Sequence, residues 1–276
     1  MKEYRLTDWL PTTKKEVELR GWDELDVILF SGDAYVDHPS FGAAVIGRIL
    51  EAEGLRVAIV PQPNWRDDLR DFRKLGRPRL FFGISAGCMD SMVNKYTANK
   101  RLRSDDAYTP DGRPDMRPEY PSIVYTQILK KLYPDVPVVL GGIEASMRRL
   151  SHYDYWQDRL KKSILCESGA DMLIYGMGEK PICELVRRLT ALCDNQDGVI
   201  SSSDIHSPAL SSIPQTAYLT RKYESDENDI TLYSHEECLA DKKKQATNFR
   251  HIEEESNKYA AARIVQAVDG KTVVVN

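Results

Sequence analysis

Residues Val27–Ser31 read VILFS and run straight into Gly32-Asp33. A short apolar run without polar alternation fits a strand covered on both faces, the kind that a parallel sheet between two helix layers requires. The period then changes. From Pro39 to Glu53 the apolar residues Phe41, Val45, Ile46, Ile49 and Leu50 recur at helical spacing, and Gly54 stands where a C-cap glycine would. Arg56–Val60 (RVAIV) reads as the next strand, stopped by Pro61 and Pro63.

The alternation continues outward from this unit. Trp65–Lys74 predicts a helix, and Leu80–Ile84 (LFFGI) a strand entering Ser85-Ala86-Gly87. Ser122–Leu132 predicts a helix and Val136–Leu140 a strand ending in Gly141-Gly142. Tyr155–Ser168 reads as a helix through Leu160, Ile164 and Leu165. Met172–Tyr175 reads as a strand ending in Gly176-Met177-Gly178-Glu179, and Ile182–Leu192 as a helix with Pro181 at its start. Strand and helix in alternation predict an α/β fold, a doubly wound parallel sheet, over residues 25–194, with a polar insertion at 95–121. Residues 1–24 read as a lead-in whose Trp9, Leu10 and Trp22 pack onto the body. Residues 195–276 read as a linker, with a Ser-rich flexible excursion at Asn195–Ser212, then a charged helix at Glu236–Asn257 and a terminal β-hairpin turning at Asp269-Gly270. The hairpin stops in an apolar strand, as a boundary inside a larger protein would.

In open α/β sheets, ligands bind beyond the carboxyl ends of the strands. That rule selects Gly32, Asp33, Ser85, Gly87, Gly141, Gly142, Glu144, Gly176, Gly178 and Glu179 as cofactor- or ligand-facing candidates. None is assigned a catalytic or metal-binding role. The glycine turns do not form G-x-G-x-x-G, so the dinucleotide fingerprint is absent.

Composition removes other classes. The 276 residues carry a net charge of −4, with 42% hydrophobic and 29% charged residues, so no overall basic field argues for nucleic acid. No apolar run approaches the ~20 residues of a membrane span. The five cysteines, Cys88, Cys166, Cys183, Cys193 and Cys238, are scattered and form no C-x-x-C pair. Free thiols in a reducing cytoplasm are the expectation.

Ser31–Glu51 (SGDAYVDHPSFGAAVIGRILE), Ser85–Arg101 (SAGCMDSMVNKYTANKR), Val138–Leu160 (VVLGGIEASMRRLSHYDYWQDRL) and Gly169–Leu185 (GADMLIYGMGEKPICEL) resemble the YgiQ-type radical SAM family. The resemblance extends from about Trp9 to Asn276. It implies an N-terminal Rossmann-like domain, flavodoxin- or cobalamin-binding-like, ahead of a radical SAM barrel absent from this chain. That barrel is the implied partner, in cis or as a separate chain, acting on an unknown substrate. For the full-length family the resemblance implies a [4Fe-4S] cluster on a C-x-x-x-C-x-x-C loop and S-adenosylmethionine on its open iron. Three thiolates must share one tight loop for that. The cysteines here are too far apart, so this chain alone is expected to hold no cofactor and to be inactive.

Cobalamin is disfavoured. The related domains place a cobalt-ligating histidine in D-x-H-x-x-G, whereas here His38 follows Asp37 directly; the simpler reading is that the two cap a helix starting at Pro39. Two alternatives stay open: a stand-alone cobalamin- or nucleotide-binding module, and, remotely, a serine hydrolase. The latter rests on Gly83-Ile84-Ser85-Ala86-Gly87, a G-x-S-x-G after a strand, with Asp154 or Asp171 and then His206 to complete a triad. The run Lys95–Arg117 interleaves Lys95, Lys100, Arg101, Arg103, Arg113 and Arg117 with Tyr96 and Tyr108, but Asp105, Asp106, Asp111 and Asp115 offset it. It reads as a lid over the strand ends rather than an RNA surface. His152–Trp156 reads as a packing cluster beside Arg148 and Arg149, and Met89, Met92 and Met147 as core filler.

Overall fold

Val27–Ser31 is buried along its whole length. Ile28 and Phe30 enter one core, with Phe72, Phe82, Tyr125 and Leu129, while Val27 and Leu29 enter a second core with Leu50, Ile59, Ile182 and Leu185. A strand that feeds two cores lies mid-sheet with helices on both sides, which is what its unbroken apolar sequence requires. The computed structural model describes residue 5 and residues 8–194 and 198–276. Residues 1–4, 6 and 7 of the lead-in, and 195–197 at the start of the Ser-rich excursion, lie outside the described residues.

In chain order the elements are α1 (Lys14–Leu19), β1 (Val27–Ser31), α2 (Gly42–Ala52), β2 (Val57–Pro61), α3 (Arg70–Arg73), β3 (Phe81–Ser85), α4 (Ser91–Lys95), α5 (Pro121–Leu132), β4 (Val138–Gly141), α6 (Gly142–Met147), β5 (His152–Asp154), β6 (Arg159–Lys161), α7 (Ile164–Ser168), β7 (Met172–Ile174), α8 (Glu179–Asp194), α9 (Ser202–Ile205), β8 (Thr216–Thr220), β9 (Ile230–Leu232), α10 (His235–Ala240), α11 (Lys242–Ser256), β10 (Ile264–Val268) and β11 (Lys271–Val275). One nine-stranded sheet runs β2-β1-β3-β4-β7-β8-β11-β10-β9. Its first five strands pair in parallel. This is the mixed α/β, mostly parallel, Rossmann-like architecture that the strand–helix alternation predicts. Its strand order β2-β1-β3-β4-β7 places a topological switch point at β1/β3, where the chain leaves to opposite faces.

Four elements differ from expectation. Trp65–Lys74 is helical only at α3, because Asn64, Asp67 and Asp68 accept from the backbone N–H two residues on (2.9–3.2 Å) and compete with the helix. Tyr155–Ser168 holds the turn and second strand of the β5–β6 hairpin and then the short α7. Asp154 accepts from Gln157 N (2.9 Å), Asp158 takes φ 51°, and Ser163 caps α7. The helix that begins the first crossover starts at Gly42 rather than Pro39, and neither Asp37 nor His38 caps it. Asp37 instead pairs with Arg48, and His38 Nδ1 accepts from Ser40 N. The charged Glu236–Asn257 stretch is broken into α10 and α11 at Asp241, which leaves the helical region (φ −141°) and caps α11 through Lys243 N (2.9 Å). Asp241→Ala is expected to lower the urea-denaturation free energy by about 1 kcal/mol.

The terminal hairpin forms as expected, with Asp269 and Gly270 both at positive φ. It is no appendage, however. β8 pairs antiparallel with β7, and β11 lies between β8 and β10, so residues 216–275 extend the same sheet. Without β8 the outer edge of β7 would present unpaired N–H and C=O groups. β8 and β9 escape a sequence reading because TAYLT and ITL are short and flanked by polar residues. Leu10 and Trp22 pack onto the body as expected, while Trp9 is half exposed. Among the described residues no helix is long and apolar enough to cross a membrane.

Candidate functional site

The carboxyl ends of β1, β3, β4 and β7 open into a cleft of about 280 Å³ between α2 and α8. Its floor is apolar, made by Leu29, Phe81, Val139 and Ile174, with Ile46 and Ile182 on its walls. Of the ten candidate residues, Ser85, Gly141, Gly142, Gly176, Gly178 and Glu179 line it. Gly142 stands at φ +82°, and a Cβ there would come 2.6 Å from Ser85 Oγ, so only glycine lets the two turns meet. Among the described residues Glu179 is the one charged side chain in the lining. The volume falls near the lower end for small-molecule sites. The wall given by α2 was missed in the sequence; the signal for it was the small run Gly42-Ala43-Ala44 ahead of Ile46.

Gly32, Asp33 and Gly87 lie beside the cleft in a different structure. Gly32 N donates to Ser85 O (3.0 Å). Asp33 is buried, accepts from Cys88 N (2.6 Å), and pairs with Arg117 (2.8 Å). Arg117, only 1% exposed, also reaches both oxygens of buried Asp106 (3.0 and 3.1 Å) and donates to Ala86 O (3.0 Å). Gly87 has φ +119°, and a Cβ on it would collide with the Asp33 carboxylate. One guanidinium thus ties the insertion to the loops after β1 and β3. The insertion is a strap held by ionic groups at the rim, and its buried arginine is unavailable to a ligand.

Glu144 points away from the cleft. It is fully buried and accepts from Ser91 N (3.2 Å) and Ser122 N (3.1 Å), serving the first turns of α4 and α5. Beside it Arg148 pairs with Asp90 and lies 5.3 Å from the Tyr120 ring, which Lys161 covers at 4.5 Å. Tyr120 donates to Asp154 (2.6 Å), and burial with that carboxylate holds the phenol well above its ordinary range. The His152–Trp156 segment is a packing cluster as expected: Tyr155 and Trp156 meet Lys100 of the insertion (4.7 Å to the Tyr155 ring). Met92 is core, but Met147 is 59% exposed.

The hydrolase constellation does not assemble. Ser85 ends β3, whereas Asp171 precedes β7 and binds Val138 N (2.7 Å) and Lys130 (2.6 Å), with His206 4.0 Å away. Asp171 and His206 therefore occupy the opposite edge of the sheet from Ser85, and Asp154 is committed to Tyr120. The thiols do not converge either: among the described residues no three His, Cys, Asp or Glu side chains could hold a metal ion. Burial, helped by the Asp33 charge, pushes the Cys88 thiol up to about 11, and burial does the same to Cys166.

A model of the radical SAM N-terminal family matches residues 9–276. A UPF0313 protein of Bacteroides thetaiotaomicron is 81% identical over all of this chain, which covers 45% of that protein. One from Porphyromonas gingivalis is 70% identical over all of the chain and 42% of its own length. The UPF0313 protein YgiQ of Escherichia coli is 56% identical over 66% of this chain and 24% of its own. The chain spans less than half the length of these curated relatives. Among solved structures, the radical S-adenosylmethionine methyltransferase TsrM of Kitasatospora setae aligns over 70% of this chain and 28% of its own, at 19% identity and a TM-score of 0.41.

Proposed function

The chain belongs to the radical SAM N-terminal family, as the N-terminal domain of YgiQ-type UPF0313 proteins, and on that premise we propose that its rim cleft is one wall of a substrate site completed by a downstream radical SAM region. The cleft carries this reading: it is apolar, glycine-edged and placed at the carboxyl rim, where α/β sheets receive ligands. A wall whose charged side chain is Glu179 suits an apolar or cationic part of a substrate and disfavours a phosphate.

The family's [4Fe-4S] cluster, which reduces S-adenosylmethionine to a radical, does not fit the residues of this chain. Cys88 follows β3, Cys166 lies on α7 and Cys238 on α10. Cys183 and Cys193 share α8 but stand about 15 Å apart along it. Burial raises Cys88, Cys166, Cys183 and Cys238 above the ordinary thiol range. Anaerobic iron–sulfur reconstitution of this chain is expected to give no [4Fe-4S] absorption; a stoichiometric cluster would overturn the reading. Cobalamin does not fit either. His38 has its Nδ1 occupied by Ser40 N (3.1 Å), and Asp37, its nearest carboxylate in sequence, is taken by Arg48.

The competing reading is a stand-alone module that binds a cobalamin-like or nucleotide ligand in the cleft. Calorimetric titration with S-adenosylmethionine and hydroxocobalamin separates the two. No heat at micromolar concentration is expected, and micromolar binding of either would favour the module.

A further inference from the structure

A surface on α6 and the turn after β7 adjoins the cleft and shares Met177 with its lining. Ile143 and Met147 are four residues apart, hence on one side of α6, and are 45% and 59% exposed. Met177, 74% exposed, joins them, because Gly176 N of its turn donates to Ser146 Oγ (3.2 Å). Exposed apolar residues scattered singly are ordinary, but these are gathered on two segments that are tied together.

Arg149 lies against the same place. Its guanidinium sits 4.8 Å from the Tyr175 ring and donates to Ser146 O (2.7 Å) and weakly to Ser256 Oγ (3.4 Å). It forms no ion pair among the described residues, and its buried Nε–H has no acceptor. Burial loosens its hold on its proton, and only Tyr175 and Glu253 act against that. A half-buried guanidinium so placed favours a carboxylate beside it.

Tyr175 connects this surface to the last strand. Its hydroxyl donates to Asn276 O (2.6 Å), and Gln215 N donates to the same oxygen (3.0 Å). β7 and β11 are each antiparallel to β8, so they point the same way, and Val275-Asn276 arrives at the rim that bears the cleft. The B. thetaiotaomicron relative, of which this chain covers 45%, continues well beyond an N-terminal domain. On the proposed reading, a polypeptide continuing past the equivalent of Asn276 in that relative would leave the sheet beside Tyr175.

We propose that Ile143, Met147, Met177 and Arg149 form the seat for the downstream region of the longer family members, with Arg149 receiving a carboxylate from it. This rests on the reading that the domain works against such a region.

The test joins the downstream region of the B. thetaiotaomicron relative to Asn276 and follows amide hydrogen exchange together with the iron–sulfur spectrum. Amides of 142–149 and 175–178 should exchange about tenfold more slowly in the fusion than in this chain alone, with 162–171 at the opposite edge unchanged. Arg149→Glu and Met177→Glu in the fusion should each restore the faster exchange. Met177 is exposed enough for that substitution to leave the melting of the lone chain unchanged, which keeps the test independent of folding. A fusion that holds its cluster but leaves 142–149 unprotected overturns the seat. A fusion that protects 142–149 and holds no cluster supports the seat and counts against the proposed function.

Discussion

Arg117→Met is expected to destabilise the domain by about 3–5 kcal/mol, read as a drop in the urea-denaturation free energy at neutral pH. Methionine preserves much of the stem volume, so the loss reports charge rather than packing. Asp33 and Asp106, 2% and 5% exposed, would keep only their backbone donors, Cys88 N and Tyr108 N, after losing the guanidinium between them. Asp33→Asn in the Arg117→Met background should recover part of the loss, because removing both partners of a buried pair costs less than removing one. A single-variant loss under about 1 kcal/mol would mean that water reaches the group and that the strap is not anchored there. The consequence extends to the site. Arg117 also holds Ala86 O, and Ala86 follows Ser85 of the cleft, so proteolysis within 103–116 and loosening of the Ser85–Gly87 arm should accompany the lost stability.

How far the sequence reveals this arrangement depends on whether the signal is local. β1 was legible because burial on two faces removes alternation from VILFS itself, and the Asp269-Gly270 turn because its geometry needs those residue types. The β5–β6 hairpin was not, since Leu160, Ile164 and Leu165 fall at helical spacing by coincidence while the deciding bonds come from Asp154 and Ser163. In the candidate site, the turns that line the cleft follow from the strand-end rule alone. Asp33 and Glu144 sit at that same rim, yet one faces Arg117, far along the chain, and the other the amides of Ser91 and Ser122. Side-chain direction at a turn is set by such distant partners. Likewise Arg117 reads as one cation in a mixed-charge run, and only the fold shows that it is the buried one.

His152 provides a second large effect, with a pH signature. Its Nδ1–H donates to Leu150 O (3.1 Å), and its Nε2 is buried without a partner, an arrangement that suits the neutral ring. Burial above all, with Arg148 and Lys161 nearby, pushes its pKa down from 6.5 to about 4. The folded chain therefore takes up this proton later than the unfolded one. Stability from His152 is complete above about pH 6.5 and is lost as pH falls from there toward 4. That displacement is worth about 3 kcal/mol at pH 4 and about 2 kcal/mol at pH 5. His235, also lowered by burial, shares the window, so wild type must be compared with His152→Gln. The variant should show a flatter loss of denaturation free energy between pH 7 and pH 5 than wild type, and parallel slopes would sink the assignment. His152 begins the hairpin whose Tyr155 and Trp156 hold Lys100 of the insertion, so the acid-sensitive residue and the Arg117 strap support the same lip of the rim from two sides. Mild acid should therefore raise hydrogen exchange in residues 152–161 before the β1–β3 core opens, whereas Arg117→Met should loosen the insertion at every pH.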